Sequence, residues 1–330
     1  MLNSDALNFL KNRKNLLAFS GGVDSTALFF LLMKEEVEFD IATVNYRLRA
    51  ASDKEAEYAK TLAEKYGKKI FLKIAPLSPP SIEKKARDIR YTFFEEIIEK
   101  EGYDNLITAH QLNDQLEWFL MQLSRGAGLV EMVGLDTVSK RDSYTVVRPL
   151  LYTSKDELLC YLKENKIHYF IDESNLSLEY RRNYFRHRFS DPLVKEFQKG
   201  IKRSFEFLHV DKELLLKEKA ILKINNLYIF KNPKDDTTAI RLIDKALKEM
   251  GYVMSHAQKK EVLKQRECVI AGRFAISLTE DFIYVSPFAK TKMDKEFKEE
   301  CRKLGIPPNI RGYIYKEKID IKQIVSILSI

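Results

Sequence analysis

Asn15-Leu16-Leu17-Ala18-Phe19-Ser20-Gly21-Gly22-Val23-Asp24-Ser25 is the stretch on which the reading of this chain turns. An apolar segment long enough for one buried strand runs into Ser-Gly-Gly and Asp-Ser. The helix-forming Thr26-Ala27-Leu28-Phe29-Phe30-Leu31-Leu32-Met33 follows. Strand, glycine turn and helix start together make an anion site. Two residues without a Cβ let the backbone approach a phosphate, and the unpaired N–H groups of the helix start point at it. Ser20 and Ser25 add hydroxyl donors. Asp24 places a carboxylate where a bound polyphosphate would lie, which suggests a Mg²⁺ ligand. No Gly-Lys-Ser/Thr follows, so the loop is not of the Walker A type.

Beyond this loop the chain alternates strand and helix. Strands are expected at 39–45, 69–74 and 105–110, with another at 144–149. Helices are expected from the capping box Ser52-Asp53-Lys54-Glu55 to about Tyr66, from Ile82 to Glu101, from about Asn113 to Leu123, and after Ser154-Lys155-Asp156-Glu157. This order predicts an α/β fold with a doubly wound parallel sheet, whose ligands collect beyond the carboxyl ends of the strands. Ser20 and His110 both fall at such ends. A long charged helix from about Lys195 to Lys223 reads as a connector. After it come a short strand at 227–230, helices at 238–250 and 255–265, and alternating segments at 268–270, 273–278 and 282–285 that suggest a small antiparallel sheet. The expected organisation is a catalytic domain over 1–194, a helical connector over 195–223 and a small α+β domain over 224–330.

The net charge of +8 over 330 residues is uneven. From Lys199 to Ile330 there are 27 Lys and Arg against 18 Asp and Glu, while the first 198 residues hold 29 against 30. A neutral half joined to a basic half suggests a polyanionic partner, most plausibly nucleic acid. Cys160, Cys268 and Cys301 are odd in number and widely spaced, against a disulfide framework or a zinc site and in keeping with a reducing cytoplasm. Cys160, between Leu159 and Tyr161, reads as a small core residue. The first residues lack the basic and apolar regions of a secretory signal, and the longest apolar run, Ala27 to Met33, is too short for a bilayer.

A second constellation is His110-Gln111-Leu112-Asn113-Asp114-Gln115-Leu116-Glu117. On a helix, positions 110, 114 and 117 share a face, so His110, Asp114 and Glu117 are expected to face the crevice. A histidine with two carboxylates suits metal binding, amine recognition or proton removal. In a third, Arg181, Arg182, Arg186, His187 and Arg188 mix with Tyr180, Tyr184 and Phe185, a combination suited to phosphate contact and base stacking. His168, His209 and His256 read as structural.

Ser-Gly-Gly-Val-Asp-Ser resembles the pyrophosphate loop of the N-type ATP pyrophosphatases, and further strings resemble one family among them, the tRNA(Ile)-lysidine synthetases. These are His-x-x-x-Asp-Gln-x-Glu, Arg49 after strand two, Glu83-x-x-Ala86-Arg87-x-x-Arg90-Tyr91, Arg125-Gly126-x-Gly128-Leu129, Arg148-Pro149-Leu150-Leu151, and Asp172-Glu173-Ser174-Asn175 leading to Tyr180-Arg181-Arg182-Asn183-x-x-Arg186. The resemblance covers about residues 15–190; the C-terminal third carries it only through its basic helices and small β segment. It implies an enzyme that adenylates O2 of the first anticodon cytidine of isoleucine tRNA with a CAU anticodon. The ε-amine of L-lysine then displaces AMP, giving lysidine. It implies ATP bound by Ser20, Gly21, Gly22, Val23, Asp24, Ser25, Asn45 and Arg49, with Asp24 on Mg²⁺. It implies catalysis by Asp24, Arg90 and Asp114. Because lysine arrives as a protonated ammonium, Asp114 and Glu117 are expected to bind it and Asp114 to help deprotonate it. Substrate contacts fall to His110, Asp114, Glu117, Arg125, Arg181, Arg182, Asn183 and Arg186. Arg241, Lys245, Lys248, Lys259 and Lys260 are candidate phosphate contacts in the second domain. The oligomeric state stays open, a homodimer included.

The chain departs from the family pattern at Gln111 and Asn113, where histidine and aspartate are usual, at Trp118, where threonine is usual, and at Tyr46-Arg47, where His-Gly is usual. Three other readings compete. Small-molecule ligases of the same superfamily, of the NAD or GMP synthetase types, would not explain a basic second half. A tRNA thiolase of the same superfamily would need a sulfur carrier, usually cysteine pairs or an iron–sulfur cluster, and three scattered cysteines argue against it. A catalytically inactive RNA-binding protein would have no use for Asp24 and Asp114.

Overall fold

The computed structural model describes residues 1–48, 52–77, 82–171, 181–215 and 220–328. Arg49, Asp172 to Asn175 and Tyr180 lie outside the described residues. The described chain divides into two compact units, Met1–Val210 and Asp211–Ile330.

The first unit is built on a six-stranded sheet in the order β3-β2-β1-β4-β6-β5. Its strands are β1 (Asn15–Ala18), β2 (Asp40–Asn45), β3 (Ile70–Ile74), β4 (Asn105–Ile107), β5 (Val138–Lys140) and β6 (Thr145–Val147). All pairings are parallel except β5 against β6, an edge hairpin that the sequence reading does not contain. Side chains alternate across the sheet because successive Cβ atoms of a strand point to opposite faces. Leu17, Ile41, Ile107 and Val147 pack beneath α1 (Ser4–Leu10), α2 (Val23–Lys34), α3 (Ser52–Lys65) and α7 (Lys155–Glu164). Leu16, Ala42, Leu106 and Val146 pack beneath α4 (Ile82–Glu101). The sheet is therefore doubly wound. Its order reverses at β1, which lies between β2 and β4, so the crevice opens at the carboxyl ends of β1 and β4.

The crevice is framed by α5 (Leu112–Leu123), α6 (Leu129–Met132), α8 (Arg181–Phe185), a π-helical turn (Arg186–Ser190) and the start of α9 (Asp191–Leu215). Helix α9 is continuous through Val210, with a kink at Phe197, and buries Val194 and Phe205 against Leu112 and Leu116 of α5. It thus starts before the expected connector, and β7 (Leu222–Ile224) occupies the end of that span. Cys160 is a correction: it sits on the exposed side of α7, with Sγ 3.2 Å from Glu164 Oε1, because Leu158 and Leu162 are the residues of that helix turned to the core.

In the second unit an antiparallel sheet runs β7-β8-β11-β10-β9, with β8 (Leu227–Lys231), β9 (Glu267–Ile270), β10 (Phe274–Leu278) and β11 (Phe282–Pro287). One face packs on α10 (Asp236–Glu249) and α11 (His256–Gln265). The other packs on α12 (Lys295–Lys303), α13 (Pro308–Lys316) and α14 (Ile321–Leu328), the Lys-rich segment whose helices the sequence leaves ambiguous. Among the described residues, no helix is long and apolar enough to cross a membrane.

Candidate active site

The glycine turn takes the form that an anion site requires. Gly21 has φ +76°, and a Cβ there would be strained whatever its neighbours. Gly22 caps α2 without any side-chain hydrogen bond, so among the described residues no side chain caps the first N–H groups of the helix, which is the arrangement an anion needs. The turn is pinned from behind, where the Phe170 N–H donates to the Gly21 carbonyl over 2.9 Å. In front, Ser20 and Ser25 hydroxyls lie 3.0 Å apart, and the Ser20 N–H donates to Ser25 Oγ over 3.2 Å.

Asp24 stands on the first turn of α2, and its Oδ1 is buried with no hydrogen-bond partner among the described residues. Burial, reinforced by the nearby carboxylate of Asp114, pushes its carboxyl up to about 7. A desolvated carboxylate with an orphan oxygen beside an open helix N-terminus fits a divalent cation carried by a polyphosphate.

Asp114 and Glu117 project from the first two turns of α5 and are both buried. Two guanidiniums meet them. Arg182 Nε donates to Glu117 Oε1 over 2.5 Å and its Nη2 reaches Asp114 Oδ1 at 3.2 Å. Arg186 Nε donates to Glu117 Oε2 over 2.8 Å, and its Nη2 also binds Asp114 Oδ1. The Gln111 N–H donates to Asp114 Oδ2 over 3.1 Å as half of a capping box. Burial alone would raise Asp114, but Arg186 and Arg182 outweigh it and hold the carboxyl below the usual range. In Glu117 burial prevails, and its carboxyl sits above the usual range. Asp24, Asp114 and Arg186 act on one another electrostatically, so the loop, the start of α5 and the π-helical turn converge on one place.

The other expected residues divide. His110 precedes the helix rather than belonging to it, since Gln111 is the N-cap; its Nδ1 lies 2.9 Å from Thr108 Oγ1. Burial pulls its pKa down to about 4, so the imidazole is neutral. Arg90, exposed on α4, acts on both His110 and Tyr46. Asn45 is buried at the end of β2, donating from Nδ2 to Asp53 Oδ1 over 2.7 Å and accepting from the Arg47 N–H over 2.9 Å. Arg125 is exposed, Asn183 is buried, and Arg181 Nη2 donates to Ser124 Oγ over 3.2 Å.

A PP-loop domain model matches residues 2–193. Over 324 residues the chain is 48% identical to the tRNA(Ile)-lysidine synthase of Campylobacter jejuni, with 98% of this chain and 99% of that protein covered. The chain belongs to the tRNA(Ile)-lysidine synthase family. The synthase of Wolinella succinogenes is 43% identical over 94% of this chain and 95% of its own length, and that of Helicobacter pylori is 42% identical over 93% and 91%. Among solved structures, the U34-tRNA thiolase NcsA of Methanococcus maripaludis with its [4Fe-4S] cluster has a TM-score of 0.52 at 20% identity, over 63% of this chain and 75% of that one. That likeness is one of fold.

The departures from the tRNA(Ile)-lysidine synthase pattern have local structural roles. Gln111 caps α5, its Oε1 accepting from the Asn113 N–H over 2.5 Å. Asn113 donates from Nδ2 to Asp191 Oδ1 over 2.7 Å and accepts the Lys155 N–H over 3.2 Å, a pairing that an aspartate could not make beside Asp191. The indole of Trp118 packs against Gly134 and donates from Nε1 to the Glu131 carbonyl. Tyr46 anchors α4 by donating its hydroxyl to the Ala86 carbonyl over 2.7 Å.

Two charged residues of the site escape the sequence reading. Lys155 acts on Asp24 from the first turn of α7, and Asp191 from the start of α9. The capping box at Ser154 marks a helix start after β6, which the sheet places at the crevice; that is the signal for Lys155. Asp191 has no such signal.

Proposed function

We propose that this chain ligates L-lysine to C2 of the wobble cytidine of isoleucine tRNA with a CAU anticodon, by way of an O2-adenylated cytidine. The observation that carries the proposal is the open N-terminus of α2, with the unpartnered Asp24 carboxylate beside the Asp114–Glu117 cluster, in a chain related along its whole length to tRNA(Ile)-lysidine synthases. In the first step O2 of the cytidine attacks the α-phosphorus of ATP and pyrophosphate leaves. The N–H groups after Gly22, with Ser20 and Ser25, hold the departing pyrophosphate. Asp24 would hold Mg²⁺, which neutralises polyphosphate charge when bound. Arg90 supplies positive charge toward the transferring phosphoryl group.

In the second step the lysine ε-nitrogen attacks C2, AMP departs with the O2 oxygen, and the ammonium proton is lost. Lysine brings ammonium and carboxylate groups together. The cluster offers a complement to each, in Asp114 and Glu117 for an ammonium and in Arg182 and Arg186 for a carboxylate. Held below its ordinary range, Asp114 is a better anchor than base, which narrows the role expected of it. The basic second unit, the exposed arginines and the location implied by free thiols agree with a tRNA substrate in a reducing cytoplasm.

Nucleoside mass spectrometry of isoleucine tRNA with a CAU anticodon, incubated with protein, ATP, Mg²⁺ and lysine, tests the reaction. A lysidine peak that requires both ATP and lysine is expected; its absence with folded protein and intact tRNA would refute the proposal. Asp114→Asn and Glu117→Gln are expected to raise the KM for lysine by roughly ten-fold or more, the loss of one charge-assisted hydrogen bond, with the KM for ATP little changed.

A further inference from the structure

Residues 181–190 present two opposed faces. Inward, Arg182 and Arg186 hold the two carboxylates, and Asn183 and Ser190 are buried. Outward, Tyr184 and Phe189 are 42% and 41% exposed, with Arg188 exposed beside them and Phe185 half-buried between. The three rings touch: centroids are 6.0 Å apart for Tyr184–Phe185, 5.8 Å for Tyr184–Phe189 and 5.6 Å for Phe185–Phe189. Arg181 Cζ lies 5.7 Å from the Phe185 centroid.

The π-helical turn makes this cluster. Residues five apart point about 140° away from each other on an α-helix. A π-helical turn, with its i→i+5 hydrogen bonds, brings them onto one side, and Phe189 meets Tyr184 there. Such turns are rare and concentrate at functional sites.

We propose that Tyr184, Phe185 and Phe189, flanked by Arg181 and Arg188, form a platform on which an unpaired base of the anticodon loop stacks while the same helical segment holds the Asp114–Glu117 cluster on its other face. The proposal rests on the tRNA reading above and names the surface that would carry it. Charge selects the occupant, because residues 181–190 contain no acid, Arg181 lies against the Phe185 ring, and Arg188, next to Phe189 in the chain, is exposed. An unstacked base offers a π-face to the rings, and its phosphates meet the guanidiniums. The arginines that Arg-rich composition would assign to phosphate contact, Arg182 and Arg186, face inward to the Asp114–Glu117 cluster and the lysine site, which leaves Arg181 and Arg188 for the RNA.

The experiment compares full-length wild-type protein with Tyr184→Leu/Phe189→Leu and Tyr184→Phe/Phe189→Tyr. The readouts are anisotropy with a fluorescein-labelled anticodon stem-loop bearing CAU, lysidine formation, thermal melting and sedimentation. Losing base stacking should weaken stem-loop binding by about ten-fold or more in the leucine pair, while the aromatic pair stays near wild type. The KM for tRNA should rise in the leucine pair, with kcat at saturating tRNA and the KM for lysine retained. A leucine pair that melts like wild type and binds the stem-loop equally well overturns the platform. So does a leucine pair whose only change is its state of association, which would make the face a contact between copies of the chain. Failure of the wild type to form lysidine would refute the reaction instead, and the binding comparison would still decide the platform.

Discussion

The indole of Trp118 occupies the space that a side chain at Gly134 would need: a Cβ on Gly134 would lie 2.4 Å from Trp118 Nε1. That nitrogen donates to the Glu131 carbonyl over 2.9 Å, so one side chain of α5 closes the turn after α6. Gly134→Ala is expected to displace the indole, which is 40% exposed and can move into solvent, and to cost about 1 kcal/mol, the net worth of the hydrogen bond to the Glu131 carbonyl. Trp118 is the chain's single tryptophan, so its emission should shift to the red together with a fall in Tm. Unchanged emission in a folded Gly134→Ala protein would contradict the packing described.

Asn113→Asp would place a second carboxylate against Asp191 where an amide now donates over 2.7 Å. Exchanging a buried hydrogen bond for like charges should destabilise the protein by about 1–3 kcal/mol in thermal or urea unfolding. Adding Asp191→Asn should recover much of that loss, which a defect unrelated to the pair would not allow.

Removing Arg186 should be far more costly than removing Arg182. Both bond to Asp114 and Glu117, but the Arg186 side chain is 15% exposed against 40% for Arg182. Arg186→Ala leaves two buried carboxylates short of compensation, a change that typically costs about 3–5 kcal/mol. Arg182→Ala, at a position 40% exposed, should cost less. Chemical denaturation of the two variants at pH 7 would compare them directly, and equal losses would count against this reading of the cluster.

Two groups give stability opposite slopes with pH. Burial and Asp114 raise Asp24 to about 7 from its ordinary 3.8, so the folded chain keeps a proton that the unfolded chain releases. Its contribution therefore turns against folding as pH rises from about 4 to 7. Burial lowers His110 to about 4 from 6.5, so the unfolded chain takes up a proton that the folded chain refuses, and stability is lost as pH falls through that window. The two windows overlap, so Asp24→Asn should make the Tm rise more steeply with pH between about 4 and 7, and His110→Gln should make it rise less steeply or fall between about 4 and 6.5. ATP with Mg²⁺ should raise the Tm of wild type at pH 7.5 more than that of Asp24→Asn.

Much of this molecule was legible in its sequence because the signals are local. Strand, glycine turn and helix are contiguous from Asn15 to Lys34, and a positive φ at Gly21 and an open helix start follow from residues that are neighbours in the chain. The cap at Ser154 acts within three residues, and the structure bears it out. The alternation of β and α elements determined the doubly wound sheet, and family membership came with the motifs it carries.

Tertiary structure alone decided which charges meet. Arg182 and Arg186 stand about seventy positions from Asp114 and Glu117, and composition marked the arginines for RNA and the acids for an ammonium; burial made them partners. It also decided that Cys160 faces solvent, that His110 stands before the helix, and that Asn113 answers Asp191 across 78 positions. Helical period says which residues share a face but not what that face will meet. What it meets depends on chain-distant elements brought together by packing of the sheet, and on the cost of leaving a charge buried without a partner.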